Sequence, residues 1–435
     1  MITDFCSMKK PVKLNKKIMK KLFTIVFFTV VSIYGYSQSQ TIDSLKEVID
    51  RQDGKLNSLD ERILVNEADL GKLNKLKISG YVQAQWILND KDHVTVNEPT
   101  NTFWIRRARI KFTYEALDGV KFVLQPDFST GNIALKDAYA VINVPKLKDF
   151  TLWAGQFNRT NYEVEYSSSQ REVLERSKVI RAIYPGEREV GVKFEYNGSI
   201  IPLKFQLMAM NGNFTGAQPI DYDSKKDLMG RFIYSIKFPG AGIGIDLGPN
   251  FYYGGTGIKY NTFVSDENGK LDSTSYKAGD YLAKQWMGGE IQIFADILGG
   301  MAIKGEYVQG INSNSGSTNQ DSKASLAARR ADPAKLRHLS GYYLYLIKNI
   351  GRKDQFVLKY DFYDPNTNLS GDAAKGDVKW KTYTLAWQHY LNDFIRISVQ
   401  YEMPDYEANA SRPSDYKDAS GLYGNTLGVR IQAKF

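Results

Sequence analysis

Two hydrophobic periods divide the chain. Between residues 41 and 77 the apolar positions follow a heptad: Ile42, Ile49, Leu56, Ile63 and Leu70 occupy one core position, and Leu45, Gln52, Leu59, Asn66 and Leu73 the other. Lys and Asp/Glu fill the remaining faces, a pattern that predicts a coiled-coil helix, although Gly54 and Gly71 weaken it. Ile at one core position and Leu at the other lean towards a dimer, and Gln52 and Asn66 can shift that state.

From Ile78 onward the period is two. In residues 356–363, Phe356, Leu358, Tyr360 and Phe362 oppose Val357, Lys359, Asp361 and Tyr363. In 394–402, Ile395, Ile397, Val399 and Tyr401 oppose Arg396, Ser398, Gln400 and Glu402, and in 427–435 Leu427, Val429, Ile431, Ala433 and Phe435 oppose Gly428, Arg430, Gln432 and Lys434. Each segment is a strand with one apolar and one polar face. Sixteen such strands begin near residues 78, 102, 119, 132, 149, 188, 201, 229, 241, 283, 298, 339, 354, 378, 393 and 423.

A soluble sandwich shares this alternation, so the connections decide. Short turns near residues 117–119, 197–199, 239–241, 298–300, 351–353 and 391–393 alternate with long polar loops at 89–101, 159–187, 212–227, 254–279, 310–337, 364–377 and 403–422. Short turns on one rim and long loops on the other predict an all-β, 16-stranded antiparallel transmembrane β-barrel over 78–435. In lipid such a sheet must close, because an open edge leaves backbone groups unpaired. An even strand count returns the C-terminus to the rim where the helix enters, so both ends are expected in the periplasm. Trp86, Trp104, Trp153, Trp387, Tyr401 and Phe435, near strand ends, suit interfacial girdles.

The N-terminus reads as a leader over residues 1–37: Lys16, Lys17, Lys20 and Lys21 precede an apolar run from Leu22 to Tyr34, with cleavage expected before Gln38 and Met19 an alternative start. Residues 38–77 are then a periplasmic coiled-coil stalk. The single Cys6 lies in the leader, which excludes a thiol nucleophile, a cysteine metal site and a disulfide framework from the mature chain. Removing the leader's seven Lys and one Asp from the 57 basic and 48 acidic residues leaves 50 and 47, a net charge of +3. Global charge therefore gives no support to nucleic-acid binding.

Charge placement carries more. If Ala108, Ile110, Phe112 and Tyr114 face lipid, then Arg107, Arg109 and Lys111 point into the lumen about 7 Å apart, and Arg106 falls on the lipid phase, tolerable only at a rim. The same phase puts Lys121, Lys193, Arg231, Lys359, Arg396 and Arg430 inside, with Asp127, Asp137, Glu195, Asp361 and Glu402 sharing the space. A row of cations in a pore is an anion path; a lumen of mutually paired charges without selectivity is the competing reading. Loop 159–187 carries Arg159, Arg171, Arg176 and Arg181, with Arg188 just beyond it, and can fold inward to narrow the pore, where guanidinium forks suit phosphate oxygens.

An enzyme has little material here. His93, His338 and His389 are the only histidines, no catalytic constellation, zinc spacing or phosphate-cradling loop occurs, and no metal or cofactor is implied. Asp364-Pro365-Asn366-Thr367-Asn368 is a solvated turn rather than a calcium loop.

Residues 78–435 resemble the phosphate-selective porin O and P family. The likeness is carried by the order of Ile78-Ser79-Gly80-Tyr81, Arg106-Arg107-Ala108-Arg109, Leu124-Gln125-Pro126-Asp127-Phe128, Lys136-Asp137-Ala138-Tyr139, Gly155-Gln156-Phe157, Pro185-Gly186-Glu187-Arg188-Glu189-Val190-Gly191-Val192 and Lys359-Tyr360-Asp361. The resemblance implies a trimeric outer-membrane barrel of a Gram-negative bacterium whose lumen cations pass inorganic phosphate or other small anions, including polyphosphate. A loop folded inward forms the constriction, and a C-terminal Phe435 resembles the signal read by the barrel-assembly machinery. Lipid and lipopolysaccharide are its expected surroundings. The alternatives are a general non-selective porin, a structural tether of the envelope through the stalk, and a lipid hydrolase using His389.

Overall fold

The computed structural model describes residues 16–90, 101–129, 131–160, 164–212, 224–272, 276–314, 323–374, 376–409 and 424–435. The chain forms two units, one ending at Asn74 and one spanning Lys75–Phe435. The first contains α1 (Lys16–Asn74), a single helix running through both the segment expected as a leader and the heptad segment. Its described core-position side chains Ile49, Leu56, Leu59 and Ile63 are exposed. No described helix is long and apolar enough to cross a membrane.

The second unit is a closed sheet. Its strands are β1 (Leu76–Asn89), β2 (Asn101–Leu117), β3 (Val120–Asp127), β4 (Ala134–Asn143), β5 (Phe150–Asn158), β6 (Arg188–Asn197), β7 (Leu203–Met210), β8 (Asp227–Phe238), β9 (Ile243–Gly257), β10 (Val264–Ser265), β11 (Tyr281–Ala295), β12 (Met301–Asn314), β13 (Ala334–Ile350), β14 (Asp354–Asp364), β15 (Trp380–Tyr390), β16 (Ile395–Tyr406) and β17 (Thr426–Lys434). Two short helices, α2 (Lys178–Ile183) and α3 (Leu326–Ala331), lie in long loops. Apart from β10, sixteen strands pair antiparallel with their neighbours in chain order, with β9 joined directly to β11. β17 then returns to β1, from Tyr81 opposite Lys434 to Asn89 opposite Thr426, and closes the barrel. β10 is a two-residue parallel bridge to the start of β13 inside the 258–280 loop. The expected strand starts fall within five residues of those observed, β13 being the furthest off at Ala334.

The two faces divide by chemistry. On β14, Phe356 and Leu358 are exposed on the outer wall while Val357, Lys359 and Asp361 are buried inside. Exposed Leu344, Leu346, Leu385 and Ile431 continue that outer apolar band, as a barrel facing hydrocarbon requires. Of the aromatics assigned to the girdles, Trp86 stacks on Phe103 on the outer face. Trp153 instead faces inward, with the Lys193 ammonium over its ring at 3.6 Å, and Trp104 pairs with the inward Gln85 and shares its face.

Two β-bulges correct the simple phase. Between β1 and β2 the register slips so that Gln83 faces Arg107 but Ala84 faces Ile105, which makes Arg106 the extra residue. Arg106 is therefore turned inward rather than towards lipid, as bulged residues are re-aimed. Between β3 and β4 the slip falls after Gln125, where Pro126 has no N–H to give the ladder, and Lys136 is the extra residue.

Candidate functional site

The connection from β5 to β6 folds into the barrel. Phe157, Val173, Leu174, Val179, Ile180, Ile183 and Tyr184 are buried, and α2 packs on β13 and β14. Two wall glycines make room: a Cβ on Gly341 would meet Val179 at 2.6 Å, and one on Gly428 would meet Leu174 at 2.4 Å. A mainly apolar helix face and a set of carboxylates and carbonyls thus let a loop from one side reach the far wall.

Its polar bonds run around that wall. Lys178 N donates to Asp361 (2.7 Å), Leu174 N to Gln400 (2.7 Å), Lys304 Nζ to Glu172 (2.5 Å), Arg396 Nη2 to the Ser169 carbonyl (3.2 Å) and Gln83 Nε2 to the Ser168 carbonyl (3.0 Å). Trp286 Nε1 donates to the Tyr184 hydroxyl at 3.1 Å. Glu165, fully buried, accepts from Ser177 N, the Ser177 hydroxyl and the Tyr345 hydroxyl, and pairs with Lys359 at 3.1 Å. Burial alone would raise the Glu165 pKa; Lys359, Arg171 and these donors outweigh it and hold the carboxyl below its ordinary range.

Cavities border the loop on both sides. One of about 630 Å³ reaches the short-turn rim and is lined by Glu172, Lys237, Asp296, Lys304 and Gln355. Another of about 450 Å³ lies against α2 towards the long loops, lined by Lys178, Lys284, Arg337, Asp377 and Trp380.

Every cation assigned to the lumen lies on the inner face, and most of them are paired. Arg109 meets Asp127 (2.7 Å), Lys193 meets Glu195 (3.0 Å), Arg231 meets Glu290 (2.5 Å), and Lys359 is held by Glu165. Arg107 lies 3.7 Å and Arg430 3.0 Å from Glu175, while Arg396 bonds to the Ser169 carbonyl and Gln432. In the loop, Arg159 pairs with Glu189 (3.4 Å), Arg176 with Glu187, and Arg188 with Asp137 (3.0 Å) and Glu187 (2.5 Å). Arg171 donates only to the Leu174 carbonyl, at 3.5 Å. Lys111 and the exposed Arg181 form no side-chain hydrogen bond or ion pair among the described residues. In a low-dielectric wall such pairs hold one another in place, and removing one partner is far costlier than the pair is worth.

Lys136, a lumen cation outside the set read from the sequence, stands within electrostatic reach of Arg109, Arg188 and Asp127 and forms no ion pair of its own. Its signal was Pro126 on the neighbouring strand. Arg106 was misplaced by the separate bulge between β1 and β2; it grips Glu175 with both forks, Nε to Oε1 at 2.7 Å and Nη2 to Oε2 at 2.9 Å.

His389 bonds to Asp354 (2.9 Å), which also accepts from Trp387, at the short-turn end of β15. His93 lies outside the described residues. Among the described residues no His, Cys, Asp and Glu cluster could hold a metal ion.

Comparison with known proteins adds to this geometry. Residues 64–253 match the family of phosphate-selective porins O and P. Among solved structures, an anion-selective porin from Comamonas acidovorans is similar at 12% identity with a TM-score of 0.52, over 83% of this chain and 99% of that one. A loop L8 deletion mutant of OmpT, an outer membrane protein of Vibrio cholerae, is similar at 10% identity with a TM-score of 0.50, over 83% and 99%. At these identities the two structures speak for the fold. No curated protein matches the chain.

Proposed function

We propose that this chain, whose residues 64–253 match the phosphate-selective porin O and P family, is an outer-membrane porin that passes small oxyanions, inorganic phosphate among them, along its lumen cations. The observation that carries the reading is the excess of cations where the inward loop meets the wall: three guanidiniums, Arg106, Arg107 and Arg430, stand around the one carboxylate of Glu175, and Arg171 shares the Leu174 carbonyl with Arg430. Lys111, Lys136 and Arg181, which form no ion pair among the described residues, are further steps. An anion sheds part of its hydration at the constriction and moves between weakly binding cations, so that selectivity depends on several shallow sites rather than one deep one. The leader directs export, residues 38–77 act as a periplasmic coiled-coil stalk, and the barrel works as a trimer in the outer membrane.

The pairing of most lumen cations favours a second reading, a general porin of weak selectivity. The reversal potential of the purified protein in a planar bilayer under a salt gradient separates the two. An anion-selective potential that moves towards zero when Arg107 and Arg109 are both replaced by Ala supports the anion path; an unselective pore, or a potential indifferent to the replacement, supports the general porin.

A further inference from the structure

The carboxylate of Glu175 is the charged tie between the inward loop and the wall built by β2 and β17, beside the bonds that Arg109, Arg430 and Gln432 make to Ser168, Leu174 and Ser169. Arg106 holds it through two bonds, Arg430 Nη2 reaches Oε1 at 3.0 Å, and Arg107 Nη2 lies 3.7 Å from Oε2. Arg171 belongs to the same cluster, because its Nη1 and Arg430 Nη1 donate to one acceptor, the Leu174 carbonyl, at 3.5 and 2.8 Å. Of the nearby carboxylates, Asp127 is paired with Arg109 and Glu165 with Lys359, and Glu165 is shared with Arg171 at longer range. Arg106, Arg107 and Arg430 thus share the Glu175 charge, and Arg171, which also lies within reach of Glu165, adds a fourth positive group in a partly buried setting, where unbalanced charge is costly.

The cluster also holds donors without acceptors. Arg107 Nε, both Nε and Nη2 of Arg171, and Gln85 Nε2 are buried and make no hydrogen bond among the described residues, and Gln85 is joined to the cluster through its Oε1, which accepts from Arg430 Nε at 2.8 Å. A planar carboxylate has too few lone pairs for four guanidiniums, whereas a tetrahedral oxyanion presents four oxygens and up to two charges.

We propose that Glu175 is a tethered competitor for the passing anion: a tetrahedral oxyanion enters the Arg106, Arg107, Arg171 and Arg430 cluster, displaces the Glu175 carboxylate, and releases the Arg171–Arg176 stretch of the loop from the wall. The loop then acts as a gate that its own cargo opens. This rests on the reading of the chain as an anion porin. The Glu175 carboxylate occupies the site at an effective concentration set by the loop, so only an anion with more charge or more acceptors than a carboxylate competes well.

The test is single-channel recording in potassium chloride with inorganic phosphate titrated in, on the wild-type chain and on Glu175→Gln, each first shown to be folded by heat-modifiable gel migration. In the wild type, low phosphate should raise the open probability. Glu175→Gln should begin with an open-to-closed ratio roughly tenfold higher, the equivalent of losing one charge-assisted hydrogen bond, and should not respond further. A folded Glu175→Gln with the wild-type ratio and the wild-type phosphate response overturns the gate while leaving the porin standing. If neither chain passes anions, the porin reading fails instead. Should Glu175→Gln not fold, Glu175→Asp keeps the charge and shortens the tether: half-opening at lower phosphate supports the gate, and unchanged gating overturns it.

Discussion

Gly341→Ala is the sharpest probe of how the loop is held. Gly341 faces the lumen on β13, directly under Val179 of α2. A methyl there would stand 2.6 Å from Val179 Cγ2, 2.7 Å from its Cβ and 3.1 Å from the Phe362 carbonyl oxygen, where ordinary contact begins at 3.4 Å. The backbone of Gly341 is not left-handed, so the strand accepts alanine and the strain falls on the helix. Overpacking of this kind costs about 1–3 kcal/mol, which is roughly a 5- to 150-fold shift from docked to undocked loop. The barrel, held by sixteen paired strands, should be unaffected. Trypsin cleavage at Arg171, Arg176, Lys178 and Arg181 in the detergent-folded protein reads the open population when reclosing is fast, and should accelerate by that factor. Adding Val179→Ala removes Cγ2 and should recover part of the protection, a coupling that a double-mutant cycle measures. If Gly341→Ala is cleaved at the wild-type rate, the loop is not seated on β13 as described.

Two other outcomes follow from the charges. Burial would by itself raise the Glu175 carboxyl, but Arg106, Arg107 and Arg430 hold it well below the usual carboxylate range; with the pKa depressed when docked, its contribution to docking is complete above the unfolded value and is lost as pH falls through the docked one. The part of the gating that Glu175→Gln abolishes should therefore be constant from pH 7 to about 4, and a difference between wild type and Glu175→Gln that already disappears between pH 5 and 6 would argue against that account. On the wall, Glu290 lies opposite Glu306 and is neutralised by Arg231, so Arg231→Met should leave two buried carboxylates face to face, at a cost of about 3–5 kcal/mol. A refolding yield equal to wild type in the same detergent would show that the pair is not buried.

The strands were legible because each carries a full alternation and its own turn, as at Phe356–Tyr363, where every residue lies on the face its position in the pattern assigns. The bulges were not, since a period-two reading assumes an unbroken ladder. One extra residue at Arg106 and one at Lys136 moved two cations from the outer phase to the lumen. Which carboxylate meets which arginine was equally hidden: Arg430 and Glu175 are 255 residues apart, and only the closed barrel brings them together. The inward course of loop 159–187 was open from composition alone, because mixed charge serves a solvated loop as well as a plug; the space left by Gly341 and Gly428 has no local signature.

The β1–β17 seam also bears on how the chain is made. Gly80 and Phe435 exchange both backbone bonds at 3.0 Å, and the Phe435 ring lies where a Cβ on Gly80 would be, 2.6 Å from it. The first strand therefore waits, with one edge unsatisfied, until Thr426–Lys434 has left the ribosome. Such a long loop closure is slow, and an exposed strand edge invites pairing with other chains in the meantime. Closure of this barrel is thus a late event, and a truncation that removes β17 would be expected to leave an aggregating sheet rather than a slightly smaller pore.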